Sequence, residues 1–205
     1  MTAAAYTVLV PLLVGVACGA PLLLVLGWAI YTYNRLVRQR NQVHASWAQI
    51  DVELRRRHDL IPSLVTTVQA YAGHEQAALS AVVTARTRAQ HASAGGPEPR
   101  ADPEHELSSA LGQLFARAEA YPQLRADQTF QQLHEQLIDS EDRVTHARQF
   151  YNSAAQTLRN SVQAVPSNLV ARAGGFRSPP FFAAIGAERD RIQLQHGDPV
   201  TGTAR

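Results

Sequence analysis

Two short stretches pair a histidine with a glutamate: HEQAA, beginning at His74, and HEQLI, beginning at His134. A zinc-peptidase helix needs a second histidine four residues after the first, so that both imidazoles share one face. Ala78 and Ile138 occupy those places. A di-iron bundle needs a glutamate with a histidine three residues later, and no glutamate here has one. There is no G-x-S-x-G elbow, no phosphate-binding P-loop and no G-x-G-x-x-G turn. The eight histidines are scattered and mostly off the apolar seams, as surface residues would be. A metal set built from His134, His146 and a partner on another helix would have to be assembled by folding. The expectation is a non-enzymatic chain with no catalytic residue, no metal ligand and no cofactor. A metal-binding or hydrolytic site assembled across helices is the first alternative.

The charges that stand out lie elsewhere, in ELRRRHDLIPSLV, Glu53 to Val65. Around them runs a seam with alternating steps of four and three: Val43, Trp47, Ile50, Leu54, Arg57, Ile61, Leu64, Val68, Tyr71, Glu75, Ala78, Val82. That is the stripe one buried helix face requires. Arg57 and Glu75 are its only charged members, and a charge on a seam sits at a solvated edge or is paired. Asp51 and Glu53 precede Arg55 and Arg57 by four residues, and Arg56 precedes Asp59 by three, so local pairing is available. For Arg57, on the buried stripe, the expectation is an ion pair to another helix, with Glu119 or Glu141 as its carboxylate and the choice between them open. Pro62 cannot donate to the carbonyl of His58. A kink or short break is expected between Arg57 and Pro62, with Asp59 as the cap of a restarted helix.

The elements that would position these residues are helical. HASAGGPEPRADP, His91 to Pro103, is a loop by composition, with Asp102 as N-cap and Pro103 as first helical residue of the next element. Leu107, Leu111, Leu114, Phe115 and Ala118 mark a shorter helix ending near Tyr121-Pro122. Another long helix begins near Asp127, along Leu137, Val144, Tyr151, Leu158 and Val165, with Leu133, Ala147 and Ala154 beside that line. Pro166 and Gly174-Gly175 end the pattern.

No charged residue occurs from Met1 to Asn34, and Val8 to Ile30 is almost wholly apolar. As a helix this segment measures about 34 Å, enough for a hydrocarbon core of roughly 30 Å. Trp28, Tyr31 and Tyr33 fit an aromatic belt. A cleaved signal peptide would want a basic start, which is missing. Arg35, Arg38 and Arg40 follow at once, placing the N-terminus outside and the body in the cytoplasm. Cys18 is the only cysteine and reads as an ordinary residue of the span. The formal charge of +2 is too small to argue for nucleic acid.

Four blocks carry a family resemblance: Tyr33 to Glu75, LFARAEAYPQL (Leu114 to Leu124), EDRVTHARQFYNSAAQ (Glu141 to Gln156) and VPSNLVA (Val165 to Ala171). In this order they resemble the LemA family, from about Tyr33 to Phe182. The resemblance implies a bacterial inner-membrane protein with one N-terminal span and a cytoplasmic helical body. It implies no catalytic residue. Its blocks single out Trp47, Asp51, Arg57, Asp59, Pro62, Tyr121, Pro122, Tyr151 and Asn152 as structural or partner-binding positions.

The expected fold is all-α: an N-terminal transmembrane helix, then an elongated antiparallel bundle of three to four helices with long coiled-coil-like seams. The pattern alone leaves the direction of the two long helices open. Residues 1–34 are the expected anchor, 35–173 the LemA-like bundle, and 174–205 a partly disordered tail. The expected role is a scaffold or adaptor for envelope proteins. Its partners would be the lipid bilayer, other membrane or envelope proteins and a second copy of itself, with no nucleic acid. An envelope sensor flexing at Pro62 is the second alternative.

Overall fold

The computed structural model describes residues 2–92 and 96–182, the side chains of residues 2–18 and of Glu98 excepted. The helices are α1 (Thr2–Tyr71), α2 (Gln76–Ala92), α3 (Pro97–Ala118), α4 (Pro122–Ala126), α5 (Gln128–Gln163) and α6 (Ser167–Ala173). No strand occurs among the described residues. The chain divides into two compact units. One comprises residues up to His44 together with Ala154–Pro179; the other comprises Ala45–Ser153 and the residues from Pro180 onward.

The larger unit is a four-helix bundle. Trp47 meets Tyr151, Arg57 meets Glu141 and Tyr71 meets Asp127, so α5 descends as α1 ascends. Asp51, His58 and Glu75 meet Arg100, Glu104 and Arg117 in that order, so α3 runs parallel to α1. Between them α2 returns in the opposite sense, with Arg86 at His58 and Arg88 at Glu106. The topology is up-down-up-down, and the turn through Tyr121-Pro122 and α4 reverses the chain. Ile61, Leu64 and Val68 of α1 share a core with Leu79 and Val82 of α2, Leu107, Leu111 and Leu114 of α3, and Leu133 and Leu137 of α5.

The seam places the core side of α1 where expected, with several corrections. It is not one helix: α1 ends at Tyr71, which is 43% exposed, and Ala72–Glu75 turn the chain into α2. The apolar spacing persists across the turn because both arms of the hairpin face the same core. No break occurs between Arg57 and Pro62, since α1 continues through both, and Asp59 caps nothing. The expected loop of residues 91–103 is also shorter. Helix α3 starts at Pro97 behind Gly96 and encloses Pro103, so Pro97 takes the role assigned to Pro103. Asp127 does cap α5, accepting the Phe130 amide at 2.9 Å. Val165 leaves the buried line because α5 stops at Gln163, and it is 81% exposed.

In the smaller unit Leu36 and Val43 of α1, Ala155 and Leu158 of α5, and Ala171 and Phe176 are buried. Helix α6 ends in a Schellman turn. The Phe176 amide donates to Ala171 at 2.9 Å and the Gly175 amide to Arg172 at 3.2 Å, with Gly175 at φ 67°. That left-handed residue is where glycine is needed. The turn drops Phe176 edge-on against Tyr33, 5.5 Å between centroids, with Arg40 over its ring. The tail expected from residue 174 is therefore packed at its start, as Phe176 and Phe182 are buried; residues 183–205 lie outside those described.

Among the described residues no helix is long and apolar enough to cross a membrane. The side chains of the first part of the expected span, residues 8–18 with Cys18, lie outside them.

Candidate functional site

The charges on the α1 seam are consumed inside the larger unit. Arg57 is buried and approaches Glu141 of α5 to 2.8 Å, while its Nη2 donates to the Ser108 hydroxyl of α3 at 3.0 Å. The choice between Glu119 and Glu141 is thus made by the fold. Glu53, the local candidate, instead accepts from Gln49 at 2.9 Å. Arg55 pairs with Asp51 at 2.6 Å, as its spacing allows. Arg56 leans 3.9 Å toward Asp139 of α5 rather than toward Asp59, which is exposed.

Arg100, 0% exposed, is the centre of this cluster. Its Nη1 donates to Asp51 at 2.7 Å, and its Nε lies 3.8 Å from Glu104 one turn along α3. Its guanidinium carbon stands 5.8 Å from the centroid of Trp47, within cation–π range. Buried His58 faces buried Glu104: its Nε2 shares a hydrogen bond with Oε2 at 3.3 Å and lies 3.1 Å from Oε1. A desolvated ionic group of this kind gains little net stability, but mispairing it costs several kcal/mol. It therefore selects one register of α1, α3 and α5.

Glu75, the other charged seam member, accepts from Arg117 at 3.0 Å and from the Tyr121 hydroxyl at 3.1 Å. The phenol donates to a carboxylate, which raises the Tyr121 pKa. This closes the turn in which Pro122 opens α4. HEQAA thus has its glutamate committed, and its histidine lies in a turn. The HEQLI histidine, His134, packs 4.3 Å from the centroid of Phe115. Among the described residues no three His, Cys, Asp or Glu side chains gather in a way that could hold a metal ion.

Toward the other end of the unit Trp47 packs on Tyr151 (5.5 Å) and Phe182 (5.6 Å). The Tyr151 hydroxyl donates to the Pro180 carbonyl at 2.7 Å. Asn152 grips the Phe182 backbone from both sides, Nδ2 donating to its carbonyl and Oδ1 accepting its amide, each at 3.0 Å. A side-chain amide can do this because it presents donor and acceptor in one plane, as a neighbouring peptide would. The segment 180–182 is thereby clamped onto α1 and α5.

Of the residues singled out in the sequence, Trp47, Asp51, Arg57, Tyr121, Tyr151 and Asn152 meet in these two clusters or the adjoining turn. Asp59 and Pro62 stay on the exposed side of α1. Missed were Arg100, hidden in a stretch read as loop, Glu104, in the first turn of the helix expected after it, and Phe182, read as tail. The i, i+4 spacing of Arg100 and Glu104 was the available signal. His58, Glu104, Arg57 and Arg100 are paired and buried. One accessible concavity is a groove of about 710 Å³ lined by Phe115, Glu119, Arg125, Phe130 and His134 among others.

The family model described as "LemA family" matches residues 46–196. The magnetosome proteins MamQ 2 and MamQ 1 of Paramagnetospirillum magneticum are each 26% identical over 174 residues, covering 73% of this chain and 64% of the relative. The magnetosome protein MamQ of Magnetospirillum gryphiswaldense is 24% identical with the same coverage. The chain thus spans about 64% of the length of these curated relatives. With the match extending over most of the bundle, including both clusters, the chain belongs to the LemA family.

Proposed function

We propose that this protein is a membrane-anchored, non-enzymatic scaffold or adaptor whose helical bundle presents protein-binding faces beside a bacterial inner membrane. The observation that carries the reading is the run Leu22–Leu26 on α1. Its five consecutive apolar side chains are each more than half exposed, and they point in all directions around the helix. Such a sleeve is stable only in an apolar surrounding. Trp28 and Tyr31 follow at the level of an aromatic belt, and exposed arginines follow these. The arginines orient the body toward the cytoplasm. The relatives named as magnetosome proteins support an association with a membrane, without bearing on which way the body faces.

The scaffold role is supported by how the family-block residues are used: they hold helices in register and clamp a segment, leaving exposed faces for partners. The test is in-cell crosslinking of the full-length protein, with a photoreactive residue in place of Arg125, which is exposed and lines the groove beside Phe130. Arg159, equally polar in sequence, is a poorer position because its Nη2 is engaged with the Pro179 carbonyl at 3.3 Å. Reproducible crosslinks to a membrane protein are expected for an adaptor, and crosslinks to a second copy for a self-assembling scaffold. Neither would appear if the bundle has no protein partner.

A further inference from the structure

The smaller unit has one sign of charge. Residues 1–44 and 154–179 contain Arg35, Arg38, Arg40, Arg159, Arg172 and Arg177, and not one aspartate or glutamate. Of these six, all but Arg159 are exposed. Every carboxylate among the described residues thus belongs to the larger unit. The same cationic unit also exposes grease away from α1. Val165 is 81% exposed and Leu169 64%, at the turn from α5 into α6.

The position of that turn along α1 is defined by what it lies against. Val165, Pro166 and Ser167 border a cleft with Trp28, Tyr31 and Arg35, and Val170 and Gly174 border another with Ile30 and Tyr33. The turn therefore sits level with the aromatic belt. Leu26, at the end of the apolar sleeve, is one helical turn away from Ile30, about 6 Å. A polar loop would suffice to join α5 and α6; two exposed aliphatic side chains at this level would be stabilised by transfer to an apolar environment.

We infer that the α5–α6 turn is a second membrane contact: Val165 and Leu169 enter the acyl boundary while the surrounding arginines bind anionic phospholipid headgroups. The inference rests on the anchor reading above and adds to it a distinct lipid-binding surface. Interfacial segments bury their apolar face about 5–10 Å into the headgroup region, so a turn at belt level is deep enough. Each arginine near an anionic surface adds roughly 1 kcal/mol of attraction, screened by salt. With no carboxylate in the unit, nothing local offsets this.

The test uses the full-length chain in the Cys18→Ser background, reconstituted into vesicles of phosphatidylcholine with phosphatidylglycerol. Single cysteines at Val165→Cys, Leu24→Cys and Gln132→Cys carry an environment-sensitive fluorophore. Quenching is read from nitroxide-labelled lipid and from aqueous iodide. The expected result is lipid quenching at positions 24 and 165, with iodide quenching only at 132. Removing phosphatidylglycerol, or combining Arg172→Gln with Arg177→Gln, should at least halve the lipid quenching at 165 and leave position 24 unchanged. Lipid quenching at 24 with iodide quenching at 165 would overturn the second contact while leaving the anchor intact. Iodide access at both would remove the anchor and the inference together. Quenching at 165 that is indifferent to phosphatidylglycerol would overturn the anionic-lipid assignment.

Discussion

Arg86 donates from Nε to the backbone carbonyl of His58 at 2.8 Å. That carbonyl is the acceptor which Pro62, four residues on, leaves without its helical donor. A guanidinium from the facing arm of the hairpin replaces the missing amide, and α1 passes through the proline unbroken.

The two residues should therefore be coupled. Arg86→Ala leaves a carbonyl unsatisfied under α2 and should cost about 1–3 kcal/mol. In a Pro62→Ala background the new backbone amide restores the intrahelical donor, and the same Arg86 substitution should cost less. A double-mutant cycle by denaturant unfolding of the full chain in detergent measures this, and additive effects would refute the coupling. Tight support at Pro62 also argues against the sensor reading, which needs a free hinge there.

Arg57 and Arg55 differ in surroundings rather than in chemistry. Arg57→Ala removes a buried group held by Glu141 and Ser108, with an expected loss of roughly 1.5–3 kcal/mol. Arg55 is mostly exposed beside Asp51, and its alanine variant should change stability by less than about 1 kcal/mol. Equal melting temperatures would show that the Arg57 pair has no structural role.

Asn152→Ala deletes both bonds to the Phe182 backbone. At about 1 kcal/mol each, exchange of the Phe182 amide with deuterium should accelerate by about tenfold or more, if segment 180–182 opens locally. The core amides of α3 should keep their rates. Asn152→Asp retains the acceptor and loses the donor, so it should fall between alanine and the parent.

Asp127 supplies an acid-sensitive bond. The Phe130 amide, and after it the Tyr71 hydroxyl, hold its pKa below the usual carboxylate value. Its contribution is present above the unfolded pKa near 3.9 and is lost as pH falls through the lower folded value. Tyr71 is raised by hydrogen bonding to Asp127, so its contribution is full below about pH 10 and is lost as pH rises through the raised value. Asp127→Asn keeps a capping oxygen but no charge. Its melting temperature should depend less on pH below about pH 4 than that of the parent.

Much of this was legible in one dimension. Seven-residue spacing marked Ile50, Leu54, Ile61, Leu64 and Val68 as core because a helix in a bundle buries one stripe whatever its neighbours are. The same stripe flagged Arg57 and Glu75 as needing partners. Spacing did not reveal the hairpin at Ala72–Glu75, since two helices facing one core continue a single periodicity across their turn. Arg100 and Phe182 escaped for a related reason. Composition marks Gly and Pro clusters as loop or tail, but Pro97 opens a helix and the Phe182 backbone is held by a side chain thirty residues away in sequence.

The sequence by itself therefore determined the helical class, the apolar stripes, the N-terminal apolar run and the family, because these depend on residue type and near-neighbour spacing. Only the tertiary structure decided the up-down-up-down order, the choice of Glu141 for Arg57, the rescue of His58 by Arg86 and the level at which Val165 lies along α1. Each of these depends on distances between residues remote in the chain, and local spacing carries no information about such distances.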